Sequence, residues 1–180
     1  MVATPDEIKA TEFYAALGNA LSSWQNAEQR LALIFERAAE SRHALFIFDA
    51  ITSTRDKLSV LDALLQRRLR NHELLRAWNR LCEKTRRMSR KRNRIVHGYL
   101  IKMPVAPGDL PIDANTEWEY LVGPTAFTRS HLLFDPAERG KEFRSPKQLK
   151  ELARAFDRLT EQISEFSQAL SELLERPEPS

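Results

Sequence analysis

A chain of 180 residues, 42% hydrophobic and 29% charged, has the length and balance of one folded domain and excludes disorder throughout. Its one cysteine, Cys82, excludes an internal disulfide. No apolar run reaches membrane-spanning length and no signal-peptide pattern opens the sequence, so a cytoplasmic protein without a membrane partner is expected.

Pro5-Asp6-Glu7 reads as a helix start, and Leu17, Leu21, Trp24, Leu31 and Phe35 then recur in threes and fours, which predicts a long first helix. Ala44 to Phe48 is almost continuously apolar. After it, the cluster Thr52-Ser53-Thr54 with Asp56 reads as a break and a fresh N-cap for a third helix through Leu58, Leu61, Leu65 and Leu69. Asn71 can cap a fourth helix, whose stripe runs Leu74, Trp78, Leu81, Thr85, Met88, Arg92, Ile95. That helix is expected to stop at Gly98, a residue suited to the left-handed position after a helix end.

Residues 100–144 hold five of the nine prolines and three of the five glycines, and read as an insertion with two or three short strands, Trp118–Val122 and His131–Phe134 among them. Ser145-Pro146 then opens the clearest helix, with Leu149, Leu152, Phe156, Leu159, Ile163, Phe166, Leu170 and Leu173 in one stripe. The expectation is a mainly α single domain over residues 1–176: about five helices, a small β-containing insertion before the last of them, and a disordered tail over 177–180.

The net charge is only +3, yet residues 67–102 hold thirteen Lys or Arg against two acids, Glu73 and Glu83. That is +11, leaving −8 for the rest. A basic block of this size raises the local concentration of polyanions, so RNA or a nucleotide is the first partner to consider; a solvated helix face paired with acids elsewhere is the plainer explanation. Two charges interrupt apolar stripes: Glu28 between Trp24 and Leu31, and Arg92 between Met88 and Ile95. A lone charge in such a setting is costly, which predicts that Glu28 and Arg92 approach one another, either to orient the guanidinium or as a structural ion pair. His97 lies five residues after Arg92, about 140° around an ideal helix, while Asn93 and His97 are four apart and nearly aligned. Histidine exchanges protons near neutral pH, though a histidine beside a glycine can equally be a surface residue. His43, His72, His97 and His131 with one cysteine show no metal-ligand spacing, so neither a metal nor a cofactor is expected.

The segment Arg92-Asn93-Arg94-Ile95-Val96-His97-Gly98-Tyr99 resembles the Arg-x4-6-His motif of HEPN domains, in the form with asparagine after the arginine and tyrosine two after the histidine, as in HEPN toxins of bacterial toxin–antitoxin pairs. The resemblance covers helices one to four and the last helix; it is silent on 100–144. It implies a HEPN-like up-and-down helical bundle and a metal-independent endoribonuclease, a toxin or defence component, with an antitoxin protein as a possible partner. Motif residues of two subunits would meet in a homodimer cleft, where the RNA 2′-hydroxyl attacks the adjacent phosphorus and a cyclic phosphate results. By that resemblance His97 is the general acid or base, Arg92 stabilises phosphorane charge, Asn93 positions the site, and Glu28 and Tyr99 support it. Arg86, Arg87, Arg90, Lys91 and Arg94 are the expected RNA contacts. The alternative is a non-catalytic HEPN-like module that binds nucleotide, RNA or a protein partner through the same basic surface.

Overall fold

In a computed structural model, residues 4–105, 117–123 and 143–175 are described. Five helices and two strands lie among them: α1 (Pro5–Ala39), α2 (Ala44–Ala50), α3 (Thr54–Arg68), α4 (His72–Val96), β1 (Tyr99–Pro104), β2 (Trp118–Gly123) and α5 (Pro146–Leu174). The molecule is mainly helical with a small antiparallel sheet. The strand expected at His131–Phe134 and the tail lie outside the described residues. No helix among those described is long and apolar enough to cross a membrane.

The helix starts follow from local hydrogen-bond chemistry, because the first backbone N–H groups of a helix have no partner within it. At α1, Thr4 Oγ1 accepts from Glu7 N–H at 3.3 Å and the Glu7 carboxylate accepts from Thr4 N–H at 2.7 Å, a reciprocal cap with Pro5 at the first helical position. Ser53 accepts from Asp56 N–H to open α3, and Asn71 Oδ1 accepts from both Glu73 N–H and Leu74 N–H to open α4. Ser145 and Gln148 exchange bonds in the same reciprocal way at the start of α5.

The described residues divide into two compact units, one from 1–22 and 91–154, the other from 23–90 and 155–180. In the first, β1 pairs with β2 from Tyr99↔Gly123 to Pro104↔Trp118, and Val122 forms a further antiparallel bridge with Arg144. One sheet face, through Ile101, Met103 and Leu121, closes on Phe143. On the other, Tyr120 meets Phe13 of α1 at 6.2 Å between ring centroids, and Lys102 reaches Asp6 at 2.8 Å while lying 5.2 Å over the Trp118 ring. The second unit is packed around aromatic pairs: Trp24 on Phe156 at 5.2 Å, Phe35 stacked on Phe48 at 4.8 Å, and Trp78 against Phe166 at 5.5 Å. Trp78 Nε1 donates to Asp62 at 2.8 Å, so the indole is buried without an unsatisfied donor.

The buried line of α1 runs Phe13, Ala16, Ala20, Trp24, Ala27, Leu31, Ile34, Ala38. Of the face expected, Trp24, Leu31 and Phe35 are buried, whereas Leu17, Leu21 and the interrupting Glu28 are half-buried. Alanines carry half of that line, letting neighbouring backbone come close. Helix α2 buries only Ala44 and Phe48 and leaves Phe46 and Ile47 exposed, which accounts for an apolar run with no clear period.

Candidate functional site

The candidate site is built where α4 ends and β1 begins. On α4, Leu81, Thr85, Met88 and Ile95 are buried, and Thr85 satisfies its hydroxyl by donating to the Leu81 carbonyl at 2.8 Å. Arg92 continues this inward face and is half-buried. Its Nη1 donates to Asn93 Oδ1 at 3.1 Å, whereas its Nε is buried and has no hydrogen-bond partner. A buried N–H without a partner is costly, so it marks a place where an acceptor would be stabilising. Glu28, the carboxylate expected beside it, lies in the unit of residues 23–90 and 155–180 and there accepts from Thr54 Oγ1 at 2.6 Å. Thr54 is buried at the first turn of α3, and nothing in the sequence pattern singled it out as that partner.

The outward face of α4 is cationic. Arg86, Arg87 and Arg90 are exposed in the one unit, and Lys91 and Arg94 in the other. His97 follows the last helical residue, is exposed, and still donates its backbone N–H to the Asn93 carbonyl at 3.0 Å, so it keeps the helical register. Asn93, also exposed, therefore sits one turn before His97 and holds Arg92 from beside it. Tyr99 is 54% exposed and opens β1 opposite Gly123. The structure thus brings Arg92 and Asn93 into contact and leaves His97 on the exposed side of the same helix end.

Gly98 is not in the left-handed conformation expected of it, since no described glycine has a positive φ. Its reason is closeness instead. A Cβ there would lie 2.7 Å from the Arg94 carbonyl oxygen, 2.8 Å from the Gly123 carbonyl oxygen and 2.8 Å from Val122 Cγ2. The chain can turn from helix to strand this tightly only without a side chain. Gly123 is bare for a related reason, because the Phe143 ring occupies the space that its Cβ would need.

Comparison with protein-family models, curated proteins and solved structures finds no match to this chain. Among the described residues no three His, Cys, Asp or Glu side chains gather as metal ligands. Cys82 is buried, and desolvation pushes its thiol upward, keeping it protonated.

Proposed function

We propose that this chain is a metal-independent endoribonuclease of the HEPN type, acting as a homodimer with Arg92, Asn93 and His97 at its cleft. The observation that carries the reading is the exposed His97 at a helix end beside the exposed cations Lys91 and Arg94, with Arg92 holding an unsatisfied buried N–H. Cations on one side of a helix hold a phosphate backbone, and an exposed imidazole can take the proton of a ribose 2′-hydroxyl. Attack of that oxygen forms the O2′–P bond and breaks the P–O5′ bond, leaving a cyclic phosphate. The imidazolium returns its proton to the leaving 5′-oxygen, so no co-reactant is consumed. A second copy supplies what one chain lacks: by helical register Arg92 and His97 lie about 140° apart, but Arg92 of one copy can face His97 of its partner. The same resemblance supports a toxin or defence component with an antitoxin protein as its partner.

Purified protein is expected to cleave single-stranded RNA in the presence of chelator and leave 2′,3′-cyclic phosphate ends. His97→Ala should abolish cleavage with the helical circular dichroism unchanged; equal cleavage by that variant would remove His97 from the chemistry. Salt-sensitive RNA binding without turnover would favour a non-catalytic module using the same cations.

A further inference from the structure

We infer that Arg94, and not Arg92 alone, is a catalytic cation of this site, placed beside His97 on the same chain to hold the reacting phosphate. The inference rests on the ribonuclease reading and adds a residue to it. Arg94 and His97 are three residues apart, about 60° around the helix, and His97 keeps the helical register through its bond to the Asn93 carbonyl. Side chains at this spacing are neighbours, with Cβ atoms about 5–6 Å apart, a gap that a phosphate group can bridge. Both are exposed, and among the described residues no hydrogen bond or ion pair engages the Arg94 guanidinium. Arg92 is turned the other way, half-buried and tied to Asn93.

The turn at Gly98 fixes this placement. Because the backbone there packs against the Arg94 carbonyl and against β2, the last turn of α4 is held by the sheet, and His97 is carried with it. A guanidinium so placed donates two parallel N–H bonds to a phosphate, and these strengthen as charge grows on the non-bridging oxygens of the phosphorane. Arg94 takes no proton in the step. The O2′–H proton goes to His97 and then to O5′ as the P–O5′ bond breaks, and Arg94 stabilises the charge between the two transfers. A single chain then presents an imidazole and a guanidinium to one phosphate whether or not a second copy adds Arg92.

The test compares Arg94→Ala, Arg94→Lys, Arg87→Ala and His97→Ala on a fluorophore-labelled single-stranded RNA of mixed sequence in chelator, with kcat and KM determined separately. Arg94→Ala is expected to lower kcat by about 10²- to 10³-fold with KM within about threefold. Arg94→Lys should recover part of kcat, and Arg87→Ala should raise KM while leaving kcat near that of the parent. Circular dichroism identical to the parent shows that the exposed substitution has not unfolded the helix. If Arg94→Ala raises KM like Arg87→Ala and keeps kcat, while His97→Ala is inactive, Arg94 is an RNA contact only and the inference is overturned with the nuclease reading intact. If His97→Ala cleaves like the parent, the nuclease reading fails and Arg94 loses its role with it.

Discussion

At the scale of single residues, polar atoms without obvious partners are the most informative features. The rule that charges inside an apolar stripe need partners depends only on helical spacing, and it pairs Glu28 with Arg92. Their partners in the structure are others. Thr54 comes to Glu28 from a different helix, and Asn93 comes to Arg92 from the next position along the chain. Gly98 carries the same lesson. Its position at the helix stop was legible, but its cause was not, since the atoms that exclude a side chain include Val122 and Gly123, some twenty-five residues onward. Gly98→Ala should therefore destabilise the protein by about 1–3 kcal/mol, read as a lowered Tm, because a carbonyl oxygen cannot move aside as a flexible side-chain tip would. A fully tolerated alanine would mean that the turn relaxes more freely than its packing indicates.

Among the elements, the helix starts were the most readable, since capping is written in two to four adjacent residues. Ser53, Asn71 and Ser145-Pro146 stand where the sequence placed them. Asn71 is the strongest test, because one carbonyl oxygen accepts two backbone N–H groups ahead of the helix that carries the candidate site. Asn71→Ala should cost about 1 kcal/mol in chemical denaturation, and Asn71→Ser should recover most of it. Buried faces were harder to read. The inward line of α1 is half alanine, so a pattern built on large side chains finds Trp24, Leu31 and Phe35 on the buried face but misses Ala16, Ala20, Ala27 and Ala38. Strand β2 was legible from its run of aromatic and β-branched residues, whereas β1 was not. Tyr99–Pro104 carries no alternation in polarity, and it is a strand because β2 lies beside it.

For the whole molecule, charge placement governs both the proposed chemistry and the response to acid. The excess of cations lies in residues 67–102, while several acids work at α1. Asp6 is held below the usual carboxylate range chiefly by its hydrogen bond from Lys102, Glu7 by the backbone N–H of Thr4, and Glu12 by its hydrogen bond from Lys150. A carboxylate that is more acidic when folded contributes stability above its unfolded pKa and loses it as the pH falls through the folded value. Glu7 and Glu12 are exposed and Asp6 keeps 48% of its side chain accessible, so each contribution is modest. Protection from hydrogen exchange, taken relative to the intrinsic rate at each pH, is expected to fall in the first turns of α1 and in β1 and β2 as the pH drops below about 4. Replacing Asp6 with Asn and Glu12 with Gln together should flatten that dependence, and an unaltered acid profile in the double variant would show that these pairs do not govern it.

The bridge between Val122 and Arg144, with Phe143 seated over Gly123, has an evolutionary corollary. The chain leaves the sheet at Gly123 and is back against the same two residues at Phe143, so whatever lies between begins and ends at one doorway. Closing a loop on fixed posts costs free energy that grows only as the logarithm of its length. Segments of very different size and chemistry could therefore be exchanged at that doorway without disturbing the helix end where Arg94 and His97 stand.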